Sequence, residues 1–286
     1  MKNKFLQRVV TGAVLVAIVV GFFFLRLVKV DLFSILTALF IVVGTYELSS
    51  KLFLFKYTDG VGKIQTDGTS VTQFSLTMVA SFLIVPAFEF FGAVTMLSLI
   101  FSEALVTSIV AIIGKKGFNG VGKGWLSAVY PKALLSSLLF SNALGANALF
   151  ALILSFIVPS FTDTFAYLVG SALKGPKLCP KVSPNKTVSG AIGGLLGGIV
   201  AAVALYFIVT PITSIKYDWI IFICLGIVCS VLTQIGDIFE SYIKRRIGVK
   251  DMGNILPGHG GVLDRVDGIM FASVVIAITM GVIANI

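Results

Sequence analysis

The stretch VSGAIGGLLGGIVAAVALYFIV, from Val188 to Val209, contains no charged side chain. It is slightly longer than the roughly 20 predominantly apolar residues that a helix needs to span a bilayer. The chain of 286 residues shares this character, since 57% of its residues are hydrophobic, 12% are charged and the mean hydropathy is +1.03. A soluble domain typically carries about 25% charged residues. The composition therefore predicts an integral membrane protein.

Apolar runs of this kind recur along the whole chain, and the connections between most of them are short. They predict an all-α, polytopic membrane protein with about nine transmembrane helices. The fifth run is interrupted by Pro131 and Lys132. The nine predicted spans are Val9–Leu25, Leu32–Leu48, Phe74–Phe88, Ala93–Ile113, Leu126–Phe140, Ala146–Leu173, Val188–Val209, Trp219–Tyr242 and Ile269–Ala284.

The basic residues are distributed asymmetrically over the loops. With nine spans, all but four of the 22 basic residues fall on the side of the N-terminus; the exceptions are Arg26, Lys29, Lys132 and Lys216. Because cytoplasmic loops carry the excess of Lys and Arg, this distribution predicts a cytoplasmic N-terminus. The formal charge of +9 comes from short clusters between apolar runs, and we therefore expect no nucleic-acid partner.

A polar stripe is predicted at the end of the eighth span, in TQIGDIFESYIKRR. Residues at helical offsets 0, 3, 4, 7 and 8 share one face. One explanation is an ion-pair ladder between Glu240 and Lys244 at a helix end; the other is a functional stripe that runs toward the cytoplasm. The residues of the stripe are Asp237, Glu240, Ser241, Lys244 and Arg245.

Two further carboxylates, Asp264 and Asp267, stand three residues apart at the start of the ninth span. They could cap that helix, where acidic side chains favour the N-terminal end of the dipole. If Asp237 lies close to them, three carboxylates would repel one another unless a cation compensates them. Oxygen ligands suit a hard cation such as Mg²⁺, which also bridges substrate phosphates.

Two loops are candidates for phosphate binding. LPGHGGVLD, from Leu256 to Asp264, allows close backbone approach and is flanked by Lys250 and Arg265. The other loop is CPKVSPNKT, where Lys181, Ser183, Lys186 and Thr187 precede a helix start whose free N–H groups favour phosphate. We expect the glycines after Gly190 to serve close helix packing instead.

Four acidic residues lie in or near other predicted spans. Asp163 suggests a polar-lined cavity, and Glu47, Glu89 and Glu103 are expected at the membrane interface.

The stretch from Ser241 to Gly268, SYIKRRIGVKDMGNILPGHGGVLDRVDG, resembles the signature of the phosphatidate cytidylyltransferases, which are CDP-diacylglycerol synthases. DTFAYLVG (163–170) and SPNKT (183–187) resemble a second conserved block of that family. The resemblance extends from about Phe161 to the end, so that residues 146–286 would hold the catalytic helices and loops of one membrane-embedded domain (1–286). Residues 1–145 would be mainly structural. Where the family usually has a glutamate in the second block, this chain has Ser189.

The resemblance implies a metal-dependent nucleotidyltransferase that makes CDP-diacylglycerol and pyrophosphate from CTP and phosphatidate, for phospholipid biosynthesis. It implies Mg²⁺, with K⁺ as a second cation, held by Asp237, Asp264 and Asp267. It also implies a homodimer in the cytoplasmic (inner) membrane, with the active site facing the cytoplasm. Together with the charge pattern it assigns Asp237, Lys244, Arg245, Asp264 and Asp267 to catalysis, and Ser183, Lys186, Thr187, Ser241, Lys250, Asp251, His259, Gly260, Gly261 and Arg265 to substrate binding.

Two other functions remain open at this stage. A related enzyme could use an isoprenoid lipid, either as a phosphate acceptor for CTP or as an alcohol that CTP phosphorylates. A cation-coupled transporter would also carry carboxylates in its spans, but transporters typically show internal repeats and broken helices near the midplane. No repeat is visible here, and the charges cluster at one surface, which disfavours the transporter.

Overall fold

The computed structural model describes residues 2–58, 61–64, 67–211 and 218–284, and most of these residues are helical. Lys216, used in the charge argument, lies outside the described residues. Helices suit the apolar runs because, within lipid, each backbone N–H and C=O must be satisfied inside its own segment. The helices are α1 (Lys2–Val28), α2 (Leu32–Ser49), α3 (Gly68–Phe91), α4 (Ala93–Ile113), α5 (Gly117–Ser127), α6 (Ser137–Asn142), α7 (Ala148–Leu173), α8 (Val188–Val209), α9 (Trp219–Ile247) and α10 (Leu263–Ala284).

Eight helical segments in the described part of the chain are long and apolar enough to cross a membrane. They are Leu6–Val28, Leu32–Leu54, Gly68–Phe91, Ala93–Ile113, Gly145–Leu173, Val188–Val209, Trp219–Ile247 and Leu263–Ile283. The prediction of an all-α polytopic membrane protein is confirmed. The cytoplasmic position of the N-terminus stays a prediction.

The fifth predicted span takes a different form from the other eight. Residues 126–140 do not form one regular helix: α5 passes into a π-helical segment at Ala128–Ala133, and the six-residue α6 follows. Pro131 lies within the π-helical segment, where it lacks the N–H that would continue the α-helical ladder. The regular helix predicted over residues 126–140 is not observed, and the segment is not among the eight candidate spans. A membrane crossing at this place stays a prediction.

Two short antiparallel hairpins lie in connections that were predicted to be loops. Strand β1 (Phe55–Thr58) pairs with β2 (Val61–Ile64), and β3 (Lys177–Cys179) pairs with β4 (Ser183–Thr187). Strand β4 leads directly into α8. The second hairpin thereby places Ser183 and Lys186 immediately before that helix.

The chain divides into two compact units. The first comprises Met1–Leu139 and Lys244–Val266, and the second comprises Phe140–Ile243 and Asp267–Ile286. The first unit therefore combines the N-terminal helices with most of the signature stretch. The division of roles between residues 1–145 and 146–286 stays a prediction.

The second unit is built around a tight contact between α7 and α8. A Cβ at Gly194 would lie 2.9 Å from the backbone oxygen of Thr162, and one at Gly193 would overlap the side chain of Val169. The backbones can approach this closely only because α8 presents glycines to α7. The predicted packing role of the glycines after Gly190 is confirmed. The apolar core beside this contact is formed by Phe150, Ala151, Leu154, Val158, Ala201, Ala202, Phe222, Leu225, Cys229, Ala272, Ile276 and Met280.

Candidate active site

The part of the candidate site in the first unit is the loop between α9 and α10. The N–H of His259 donates to the carbonyl of Leu256 (2.9 Å), and the N–H of Leu256 donates to the carbonyl of Gly260 (2.9 Å). Gly258 and Gly260 have φ values of +76° and +81°, which side chains other than glycine rarely adopt. The two glycines thus allow the tight turn that places His259 at its tip.

Asp264, in the first turn of α10, is the main hydrogen-bond acceptor of this loop. Its Oδ1 lies 2.8 Å from Nζ of Lys244, and its Oδ2 accepts from the backbone N–H groups of Met252 (2.9 Å) and Gly261 (2.8 Å). The two side chains of the ion pair are 12% and 5% exposed, for Lys244 and Asp264 respectively. Two other residues of the signature stretch, Lys244 and Gly261, thereby contact the carboxylate of Asp264.

The remaining residues of this loop lie nearer the surface. Arg265 is exposed, and its Nε donates to the carbonyl of His259 (3.0 Å). Arg245 is also exposed and donates to the carbonyl of Val249 (3.3 Å). Lys250 and Asp251 are exposed as well. Arg245, Lys250 and Arg265 are therefore accessible to an anionic ligand from solvent.

Helix α1 packs against the tip of the loop. Thr11 donates from Oγ1 to the carbonyl of Pro257 (3.0 Å), and the ring of His259 lies over Gly12, 3.6 Å from the position of an added Cβ. Arg8 lies against Gly258. Nδ1 of His259 is buried and has no hydrogen-bond partner among the described residues.

Glu47 of α2 binds the other side of the same loop. Its side chain is 2% exposed and accepts the N–H groups of Val262 (3.0 Å) and Leu263 (2.8 Å). The N–H groups of residues 261, 262 and 263 are therefore all engaged by carboxylates of the protein. A phosphate could bind these three groups only by replacing Asp264 or Glu47.

The part of the site in the second unit centres on an ion pair between Lys186 and Asp237, whose Nζ and Oδ2 atoms are 2.6 Å apart. Lys186 follows the hairpin strand β4, and Asp237 belongs to α9. Ser241, one helical turn further along α9, donates to Oδ1 of Asp237 at the long distance of 3.5 Å. The carbonyl of Gln234 lies 3.5 Å from Nζ of Lys186.

Thr187 begins α8 as its N-cap. Its Oγ1 accepts the N–H of Gly190 (3.1 Å), a contact that satisfies one of the free N–H groups of the first turn. Ser189, which stands where the family usually has glutamate, lies 3.1 Å from Oγ1 of Thr187 and donates to the carbonyl of Lys174 (3.1 Å). Ser183 is partly buried in β4 and its carbonyl lies 3.8 Å from Sγ of Cys179.

The three predicted metal ligands are engaged in different ways. Asp237 and Asp264 each contact a lysine, and Oδ1 of Asp267 accepts the N–H of Gly268 (2.8 Å). Across the described residues, no group of three or more Asp, Glu, His or Cys side chains is placed to hold a metal ion. The three-carboxylate metal site thus stays a prediction.

The burial of two acidic residues within the protein was not predicted from the sequence. Glu47 and Glu103 are 2% and 6% exposed, respectively, and Glu103 pairs with Lys132 at 3.0 Å. Their expected position at the membrane interface stays a prediction. The available signal was an acidic residue inside an apolar run, which usually has a partner in the protein interior. By contrast, the side chain of Asp163, for which a polar cavity was expected, is exposed on α7.

Comparison with known proteins identifies the family. The model of the cytidylyltransferase family matches residues 6–283. The phosphatidate cytidylyltransferase of Bacillus subtilis (strain 168) is 34% identical over 271 residues, which cover 93% of this chain and 93% of that protein.

Shorter matches are found with two other proteins of that name. The Brucella abortus (strain 9-941) protein is 37% identical over 154 residues, or 53% of this chain, and the Staphylococcus aureus (strain COL) protein is 39% identical over 128 residues, or 44% of it. The chain matches about half the length of these two relatives, 55% and 47%. Since the family model covers nearly the whole described chain, this protein belongs to the cytidylyltransferase family.

Proposed function

We propose that this protein transfers the cytidylyl group of CTP to phosphatidate, giving CDP-diacylglycerol and pyrophosphate for phospholipid biosynthesis. The observation that carries the proposal is the convergence of the signature residues Lys244 and Gly261 on Asp264. The name of the Bacillus subtilis relative supports the choice of phosphatidate as the acceptor.

The chemistry needs little from the protein beyond positioning and charge neutralisation. The attacking group is a phosphate monoester, whose second pKa is about 6, and it is therefore already a nucleophile near neutral pH. No general base and no covalent enzyme intermediate are required. The rate then depends on in-line placement of the two phosphates and on stabilisation of the charge on the leaving pyrophosphate.

Basic residues of the signature stretch, and Lys186 before α8, would provide that stabilisation. Arg245, Lys250 and Arg265 are exposed and suit the triphosphate or the lipid phosphate. Lys186 and Lys244 are held by carboxylates and would present their ammonium groups in fixed positions. His259, at the tip of the glycine loop, would contact the substrate.

The carboxylates are chemically suited to a hard cation. An ionised carboxylate accepts about four hydrogen bonds, and Asp264 receives three here. We propose that Asp237, Asp264 and Asp267 hold Mg²⁺, with K⁺ as a second cation. A bound Mg²⁺ would neutralise negative charge on the substrate phosphates.

We further propose that the active site faces the cytoplasm from the cytoplasmic (inner) membrane. The basic loops that the sequence assigns to one side include the signature stretch, and CTP is available in the cytoplasm. The acyl chains of phosphatidate would then remain in the bilayer while the phosphate enters the site. The homodimer implied by the family resemblance is also proposed, and chemical cross-linking in native membranes would test it.

The test follows the label of CTP into the lipid phase, with purified protein in detergent, phosphatidate and Mg²⁺. CTP labelled at the α-phosphate should label the lipid, whereas CTP labelled at the γ-phosphate should not, because that phosphate leaves in pyrophosphate. Lipid labelling from the γ-phosphate would instead indicate phosphorylation of an alcohol.

Two variants serve as controls in this assay. Asp264→Asn should abolish the labelling, and Asp31→Asn, which changes an exposed aspartate paired with Lys29, should leave it unchanged. If phosphatidate gives no labelled lipid but an isoprenyl phosphate does, the proposed acceptor is wrong. If folded, monodisperse wild-type protein labels neither lipid, the proposed reaction is wrong.

A further inference from the structure

Glu47 lies far from the signature stretch in sequence and is bound to it in the structure. It belongs to the last turn of α2, and its two carboxylate oxygens separately accept the N–H groups of Val262 and Leu263, 215 and 216 residues away. The first N–H groups of a helix have no partner within that helix. A buried negative charge at this end of α10 is also favoured by the helix dipole.

The residues at the start of α10 lack a local side chain that could replace Glu47. Gly261 and Val262, which immediately precede the helix, carry no polar side chain. Asp264, inside the first turn, is occupied with the N–H groups of Met252 and Gly261. The N–H groups at 262 and 263 therefore depend on the carboxylate from α2.

The loop leaves space for this carboxylate by means of two glycines. A Cβ at Gly261 would lie 2.5 Å from both carboxylate oxygens of Glu47, and a Cβ at Gly253 would overlap Oε1. Neither glycine is among the described residues with positive φ. Glycine is therefore needed at these two positions because a side chain would collide with Glu47, and not because of the backbone conformation. The signature stretch is thus folded around the Glu47 side chain.

The contacts of Glu47 and Asp264 are consecutive along the backbone. The N–H of Gly261 binds Asp264, and the next two N–H groups bind Glu47. A shift of residues 261–263 would therefore move the backbone that orients Asp264 toward Lys244. Glu47 itself is buried within the protein.

We propose that Glu47 is a positioning residue for cytidylyl transfer: by binding the start of α10 it fixes the orientation of Asp264 and the glycine loop. The inference rests on the proposed function, since it concerns the rate of that reaction. It also assigns a role in the reaction to α2, one of the N-terminal helices predicted to be mainly structural.

The test compares Glu47→Gln with Glu89→Gln in the α-labelled CTP assay. Glutamine has nearly the same shape, but it loses the charge and turns an amide N–H₂ toward one of the two backbone donors. Glu89 is a suitable control because it is another glutamate near a helix end in the first unit, and it accepts a hydrogen bond from Ser34. Activity is measured per monodisperse, folded protein, so that a loss of folded material is not counted as a loss of rate.

We expect Glu47→Gln to lower kcat roughly 10- to 100-fold, the effect of misplacing a reacting group by about 1 Å. The KM for CTP should change much less than kcat, Glu47→Asp should recover part of the rate, and Glu89→Gln should match the wild type. If Glu47→Gln does not fold, Gly253→Ala, which displaces the same carboxylate, should show the same selective fall in kcat.

Unchanged kcat in the folded Glu47→Gln or Gly253→Ala protein would overturn the inference. So would a loss of activity that only follows the loss of folded protein, because that is the behaviour of a purely structural residue. A wild-type protein that transfers no label would refute the proposed function and this inference together. An active wild type with an equally active Glu47→Gln variant would refute the inference alone.

Discussion

Replacing Lys132 by methionine should strongly destabilise the first unit, because it removes one partner of a buried ion pair. Nζ of Lys132 lies 3.0 Å from Oε1 of Glu103, and the two side chains are 0% and 3% exposed. At this separation, an effective dielectric constant of about 20 gives an attraction of about 5 to 6 kcal/mol. Removing one partner of a buried pair typically costs about 3–5 kcal/mol, since the other charge remains buried. We expect Lys132→Met to lower the free energy of unfolding by that amount.

The matched comparison is the double variant Lys132→Met/Glu103→Gln, which leaves no charge behind. Replacing both partners of a buried pair is often neutral, and we expect the double variant to be within about 1–2 kcal/mol of the wild type. Equilibrium unfolding in mixed micelles with increasing denaturing detergent, followed by tryptophan fluorescence, would measure the wild type, Lys132→Met, Glu103→Gln and the double variant. With each single variant destabilised by about 3–5 kcal/mol, the coupling energy between the two positions should be at least about 4 kcal/mol.

Two results would contradict this reasoning. One is a Lys132→Met protein within about 0.5 kcal/mol of the wild type, a change typical of surface substitutions. The other is a double variant as unstable as the single ones, which would show that the side chains contribute by packing instead of by charge. Cytidylyl transfer per folded protein should be unaffected by either change.

Four further predictions address the site and the packing. Asp264→Asn should lower the rate of lipid labelling at least about 100-fold, since the carboxylate holds Lys244 and the loop, while the elution profile of the purified protein stays normal. Chelation of divalent cations should stop the reaction, and added Mg²⁺ should restore it; full activity in excess chelator would refute the proposed cation. Gly198→Leu should destabilise the second unit by about 1–3 kcal/mol or more, because a side chain there would overlap Ser230, and thermal unfolding would measure the loss. Lys116 holds the pKa of Asp67 below its usual range. The stabilisation by this carboxylate is therefore fully present above the unfolded pKa of about 4 and is lost as the pH falls through the lower, folded pKa. The difference in melting temperature between the wild type and Asp67→Asn should thus be larger at pH 7 than below pH 4.

The apolar runs predicted most of the fold because spanning helices depend on local composition. A run such as Val188–Val209 must satisfy its own backbone groups within lipid, and its length and lack of charge suffice to predict a helix. At residues 126–140, where Pro131 and Lys132 interrupt the pattern, the structure has no regular helix. The pairing of Lys132 with Glu103 depends on helix α4, which lies elsewhere in the chain.

The signature residues could be identified from the sequence because they are concentrated in one short stretch with fixed spacing. Lys244, Asp264 and the glycines between them were all candidates before the structure was considered. The sequence did not reveal which side-chain atoms contact one another. It was equally compatible with an ion pair between Lys244 and Glu240, and the structure places Nζ of Lys244 2.8 Å from Oδ1 of Asp264. The N–H of Gly261, expected to be open to phosphate, binds Asp264 instead.

Hydropathy and motif spacing are properties of neighbouring residues, and they were sufficient to predict a helical membrane protein that resembles the cytidylyltransferases. The contact of Glu47 with the start of α10 and the packing of helix α1 against His259 are visible only in the folded chain. Those contacts join residues more than 200 positions apart, and no local pattern encodes which partner a buried carboxylate will reach. A buried charge must find some partner, but the folded chain selects it.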